Sequence, residues 1–187
     1  MLTEKPTIRQ VSQVAGKNVV LKNAQLEDAE FILALRLDPD KNKYLSPIDA
    51  EVEKQRDWLR LYLNSEGQAY FIICDKSFNR LGTVRIYDAV AESFSWGSWI
   101  LKKGAPASAA IESAVLVYHL ATVCWGFQSA HFQVHRANAS VLNFHKKFGA
   151  EEVAEISGDI QMRIGRAQID QALRRYSKYL PSQSPVA

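Results

Sequence analysis

The residues with the clearest chemical potential lie between His131 and Ala150. A short β-type run containing Phe132 and Val134 gives way at Asn138, whose side chain can accept from the free N–H groups of a helix start. Val141, Phe144 and Phe148 then recur at three- and four-residue spacing, so they share one face of a short helix. Gly149 stands where a helix C-cap needs positive φ. The helix so bounded carries His145 one turn before its stop, beside the apolar stripe. An imidazole titrates near neutrality, so on a rigid helix it can serve as a proton donor without an extreme pKa shift. The plainer alternative is a helix-edge histidine packed on Val141 and Leu142. His119, His131 and His135 show no metal-ligand spacing, and no metal is expected; His135, at the end of the strand, is at most a substrate contact.

Other residues supply candidate binding chemistry. Trp96 and Trp99 flank Gly97; aromatics there can wall a pocket or stack on a sugar or base ring, although core packing is their commoner role. Arg36, Lys41 and Lys43 lie in an early helix and loop and suit a phosphate, but an exposed charged loop needs no ligand. Asp88, Tyr87 and Glu92 crowd one turn, where solvated polar residues are the norm.

Composition narrows the class. The 187 residues suit one domain with a single core. Apolar content of 47% and charged content of 23% are those of a globular protein. A net charge of +3 with scattered Lys and Arg is too mild for nucleic acid, though compatible with an anionic small molecule. Cys74 and Cys124 sit in apolar sequence and read as buried thiols of a reducing compartment. The N-terminus shows no secretory pattern, and the apolar stretch 114–127 contains His119 and is too short to span a bilayer. A cytoplasmic chain with no membrane partner is expected.

Elements that would position these residues follow from periodicity and breakers. Strands are predicted at 18–22, 69–75, 81–87 and 93–101, the last interrupted by Gly97, where a bulge or close backbone approach is expected. Helices are predicted at 24–37 and 49–63, and from Pro106 to about Trp125. A hairpin at 152–156 and 159–163 and a terminal amphipathic helix at 167–180 close the chain. Residues 1–17 are weakly patterned, contributing a short edge strand or none, and 181–187 should fray. The fold class is α/β (α+β), one domain over residues 18–180, with a mixed sheet of about six or seven strands covered by helices.

The order of elements from Ser93 to Ala150 resembles the GNAT superfamily of acyl-CoA-dependent N-acetyltransferases. It is most similar to the branch of ribosomal-protein N-terminal and amino-sugar acetyltransferases. The segment Asn138 to Ala150, with Phe144, His145, Phe148 and Gly149, matches the family's asparagine followed by an aromatic–glycine motif. Here His145 stands at the tyrosine position and Ala150 replaces the final aromatic. Ala110, Ile111, Glu112, Ser113 and Ala114 resemble a run of the long central helix, and 24–45 resembles the branch's early helix and loop.

The resemblance implies a sheet splayed between the fourth and fifth strands. The fourth strand, at Trp99, Ile100, Leu101 and Lys102, would pair with the pantetheine arm of acetyl-CoA, the co-substrate. A backbone N–H there would polarise the thioester carbonyl, and the helix start at Ala107, Ser108, Ala109 and Ala110 would hold the pyrophosphate. Asn138, Val141 and Phe144 would complete the cofactor site. His145 would be the acid and Glu92 the base. Arg36, Tyr44, Tyr87 and Trp96 would meet the acceptor. The phosphate motif departs from the pattern: Ala105 and Ser108 stand where the family has a basic or amide residue and a glycine. Glu112 matches a family glutamate, but near a helix start it more simply favours the dipole.

The implied activity is acetyl transfer by direct attack of a primary amine, the acceptor being a nucleotide-linked amino sugar of surface-polysaccharide synthesis. A protein N-terminus, or acyl-CoA binding without turnover, are the alternatives. A monomer or homodimer fits, the last helix covering either the sheet or a neighbouring subunit.

Overall fold

The computed structural model describes residues 5–180; the predicted frayed tail lies outside them. The strands are β1 (Gln13–Ala15), β2 (Val19–Asn23), β3 (Ala69–Asp75), β4 (Arg80–Val90), β5 (Ser93–Leu101), β6 (Ser129–His135), β7 (Glu151–Ile156) and β8 (Asp159–Gly165). The helices are α1 (Ala29–Leu37), α2 (Val52–Leu63), α3 (Ala107–His119), α4 (Ala139–Phe148) and α5 (Arg166–Arg175). One eight-stranded sheet has the order β1-β2-β3-β4-β5-β6-β8-β7. The strand beyond the expected seven is β1, built from the weakly patterned N-terminal segment.

β3 shows how the sheet divides the molecule. Ala69, Phe71 and Ile73 face a large apolar core with α3, α4 and α5, whereas Tyr70, Ile72 and Cys74 face a smaller one under α1 and α2. Alternation along one buried strand thus serves two layers. α5 buries Ile169, Ala172 and Leu173 against the chain's own α3 and α4.

β5 and β6 run parallel, and α3 provides the crossover such a pair needs. Their ladder is brief: Ser93 pairs with Ser129 and Phe94 with Ala130. Beyond that point β5 stays with β4 as far as Leu101, and β6 stays with β8 as far as His135. Each strand follows its other neighbour, so the sheet opens between them.

α3 departs from its expected form at both ends. It passes into a π-helical stretch at Leu120–Cys124, which turns Val123 and Cys124 outward. Cys124 is therefore exposed, against the expectation for two buried thiols, while Cys74 is buried and its thiol pushed up to about 11 by desolvation. Ala107–Cys124 is long and apolar enough to cross a membrane, with a mean hydropathy of 1.4. Burial of 61% of it inside the protein accounts for that apolarity.

Near the other end, Glu112 is fully buried. Its carboxylate accepts from the Asn18 backbone N–H at 2.6 Å, Asn18 Nδ2 at 2.9 Å and the Val19 N–H at 2.9 Å. The expected dipole role gives way to a clamp on the turn between β1 and β2. Gly16 is required beside it, since a Cβ there would stand 2.5 Å from Glu112 Oε1.

Candidate functional site

The opening between β5 and β6 begins with a backbone irregularity. Thr83 pairs with Ile100 and Arg85 with Gly97, leaving Ser98 and Trp99 opposite Val84 alone. Ser98 takes φ 46°, a conformation that strains a residue with a side chain. Thr83 Oγ1 donates to its carbonyl at 2.8 Å. The bulge thus falls one residue beyond Gly97. Absence of a side chain at Gly97 leaves room for Tyr87, whose hydroxyl would lie 3.0 Å from a Cβ placed there.

A slot of about 130 Å³ follows, lined among others by Trp99, Val134, Asn138, Val141 and His145. Its outer wall is α4, capped as expected: Asn138 Oδ1 accepts from the Val141 N–H at 3.4 Å, and Gly149 has φ 100°. Trp99 ties the wall together. Its indole N–H donates to Ser113 Oγ on α3 at 3.1 Å, and its ring lies 4.6 Å from Phe144 on α4.

His145 sits at the centre of an aromatic box, not at a helix edge, and is 4% exposed. Its ring centroid is 4.1 Å from Phe132, 5.1 Å from Trp96 and 5.8 Å from Phe144. Nδ1 is buried without a hydrogen-bond partner. Loss of water with no compensating anion pushes the imidazole pKa down to about 3. The expectation of a residue titrating near neutrality is therefore corrected: His145 is neutral at physiological pH. A neutral imidazole can still donate one N–H or accept one hydrogen bond.

Past Ser98 the slot opens into a polar cleft of about 560 Å³ that also takes in the polar side chains of β6. Arg36, Tyr44, Tyr87 and Trp96, the expected acceptor residues, all line it. Tyr44 reaches it from the loop after α1, stacking on His135 at 5.0 Å and donating to the Ala137 carbonyl at 3.1 Å. Lys41 and Lys43 are exposed and do not line it.

The candidate carboxylates of the β4–β5 turn fall in different places. Glu92 is exposed in the turn between β4 and β5, outside the cleft lining; its carbonyl accepts from the Gln128 and Ser129 N–H groups. Asp88 and His131 do line the cleft. Their Oδ2 and Nε2 are 3.2 Å apart, and His131 Nδ1 is 2.8 Å from Ser93 Oγ. A carboxylate can only accept, so Nε2 carries the hydrogen in that contact, and Nδ1 shares a hydrogen bond with the serine hydroxyl. Asp88 is presented by φ 51° within an interrupted stretch of the β4–β5 ladder. The missed signal was local, because His131, Gln133 and His135 alternate with buried Phe132 and Val134 and so share the polar face of β6.

The remaining cofactor candidates divide. Ile100 is buried and pairs with Thr83 on the β4 side, while the Lys102 N–H donates to the Leu81 carbonyl at 2.8 Å and is not free for pantetheine. Leu101 is half-buried and pairs with Gly82. Ala107, Ser108, Ala109 and Ala110 form the first turn of α3 with no acidic side chain among them, and Ala109 is itself buried. Phe144 packs behind Trp99 and is not part of the slot lining.

An open mixed sheet, an interrupted strand and a capped helix flanking the opening define an acyl-transferase architecture. Comparison with known families agrees: the acetyltransferase (GNAT) domain model matches residues 18–151. The chain belongs to the GNAT acetyltransferase family. Among solved structures it is similar to apo FdhC, described as a nucleotide-linked sugar GNAT. The identity is 34% and the TM-score 0.82, over 90% of this chain and 98% of that one. A GCN5-related N-acetyltransferase from Brucella melitensis shares the fold at 15% identity and TM-score 0.77, over 97% and 91% of the two chains. A chimera of the Vibrio cholerae spermidine N-acetyltransferase SpeG and hSSAT does so at 14% identity and TM-score 0.71, over 82% and 98%. No curated protein matches the sequence.

Proposed function

We propose that this protein transfers an acetyl group from acetyl-CoA to a primary amine on a nucleotide-linked amino sugar. The observation that carries the reading is the meeting of slot and cleft at Ser98, which lines both. The two also share Tyr44, Trp96, Gly97, Phe132 and His135 as lining, so a donor threaded from the α4 side and an amine held in the cleft meet along this common wall. Acetyl-CoA supplies the activated acetyl thioester. The sugar is favoured by the 34% identical structure, whose description names that acceptor class.

The chain's own residues divide the work. Trp99, Val141 and Asn138 border the narrow donor channel, and the first turn of α3 offers N–H groups to phosphate. His145, neutral, offers a hydrogen bond from within the aromatic box to the departing sulfur. Asp88 retains Oδ1 free of partners among the described residues. It receives the amine's proton, with His131 and Ser93 holding the carboxylate in place. Thiol release from acetyl-CoA across nucleotide amino sugars, neutral amino sugars and N-terminal peptides tests the reading. Turnover confined to the nucleotide-linked class is expected. Turnover confined to peptides would replace the acceptor, and acetyl-CoA binding with no turnover on any amine would remove the transferase reading.

A further inference from the structure

The cleft has a third chamber, about 360 Å³, between the sheet and helices α1 and α2. Arg36, Ser46, Tyr87 and Ser98 line both this chamber and the polar cleft, so the two are continuous. Its charge pattern is one-sided. Arg36 and Arg85 line it, and no Asp or Glu does.

Among the described residues neither guanidinium has a carboxylate partner. Arg36 donates from Nη2 to the Ser46 carbonyl at 3.0 Å, while its Nε is buried with no partner. Arg85 donates from Nε and Nη2 to the neutral Gln68 Oε1, at 2.9 Å from Nε. Its plane is held by Trp58 and Tyr87, whose ring centroids lie 5.2 and 4.9 Å from Cζ. Arginine stays charged under all physiological conditions, and half-buried like charges in one chamber repel. Such a pair is stable when an anion sits between the two forks.

We infer that this chamber is a phosphate subsite of the acceptor, in which Arg36 and Arg85 grip the diphosphate of a nucleoside diphosphate. The forked guanidinium geometry fits two phosphate oxygens, and fixing Arg85 between aromatic rings removes much of the ordering cost of that contact. Arg85 is paired with Gly97 across the β4–β5 ladder, which sets the anion close to the bulge at Ser98. An amine linked to the phosphate through one sugar ring then falls at the mouth of the slot. The inference rests on the acetyl-transfer reading only for which molecule brings the phosphate.

Calorimetry with uridine diphosphate and thymidine diphosphate, without any acetyl donor, is the test. Binding to the unaltered protein is expected, weakened at least tenfold by Arg85→Gln and by Arg36→Gln, and weakening with added salt. Arg85→Lys keeps the charge without the fork and should fall between the two. Circular dichroism and acetyl-CoA affinity of each variant check that the fold survives. Equal affinity for the nucleoside without phosphate, or no loss in the double variant, overturns the subsite. Inorganic pyrophosphate binding as tightly as the nucleotides, with the same dependence on both arginines, would retain the anion site and remove the nucleotide from it. Arginine-dependent nucleotide binding in a protein that ignores acetyl-CoA would separate the subsite from the transferase reading, leaving the first standing alone.

Discussion

Two imidazoles lie on opposite sides of one strand and have opposite fates. His145 presses against Phe132 on the apolar face of β6, stripped of water, with Nδ1 unpartnered. His131, the residue before Phe132, projects into the polar cleft and is held at both ring nitrogens by Asp88 and Ser93. A family motif picks out the first, yet its surroundings withhold a proton from it at neutral pH. The second occupies no motif but stands in a hydrogen-bonded chain ending in a carboxylate. Proton handling follows hydration and partners, not the residue type at a motif position.

Three substitutions and one titration press on that contrast. Asp88→Asn should have the largest effect, lowering kcat by about a hundredfold, a typical contribution of a positioned base. Its KM for acetyl-CoA should be unmoved. Steady-state kinetics with both substrates varied decide it, and an unchanged kcat would take the proton away from Asp88. His145→Phe should cost roughly tenfold in kcat, about one neutral hydrogen bond in the transition state. A loss as large as that of Asp88→Asn would restore His145 to the central role the motif gave it.

Acidification separates the two histidines again. The folded pKa of His145 near 3 lies below its unfolded value of 6.5, so the unfolded chain takes up the proton first. The stability tied to this residue is complete above pH 6.5 and declines as pH falls toward 3. The loss is roughly 2–3 kcal/mol by two pH units below 6.5. His119, its pKa also lowered by burial, adds a decline common to both proteins. Urea denaturation across this range should therefore show a steeper decline in the parent than in His145→Phe; parallel curves would mean the box admits water. Gly97→Ala is the mildest change. It nudges the Tyr87 ring by a few tenths of an ångström and should raise the amine's KM only a few-fold.

The sequence was most legible where structure is local. β3 and β5 end where alternation and breakers predicted, and α4 carries the Asn138 and Gly149 caps read from their types. Contacts between distant segments were not legible. Nothing near His145 foretold that β5 and β6 would wrap it in Trp96 and Phe132. The positive φ at Ser98 depends on the register of β4 against β5, which no single-strand pattern reveals. Arg85 lies within the predicted strand 81–87 with nothing in sequence to single it out, and its place opposite Arg36 in one chamber comes only from the fold. Glu92 was chosen for its carboxylate and its place in the chain, although that end of β5 is the one still zipped to β6.

Glu112 carries a consequence for how the molecule forms. Its three donors lie on a hairpin turn far away in the chain, and without them the carboxylate would be an unsolvated charge beneath apolar side chains. Burial of the α3 carboxylate is therefore tied to closure of the β1–β2 turn, which also holds its own Gly16 N–H to Val19 carbonyl bond at 2.8 Å. Joining such distant segments is slow in folding. It also removes half-assembled states, because Trp99 is moored to this same helix through Ser113. The wall of the slot and the far edge of the sheet are thereby anchored to one helix, so loosening α3 is expected to disturb both.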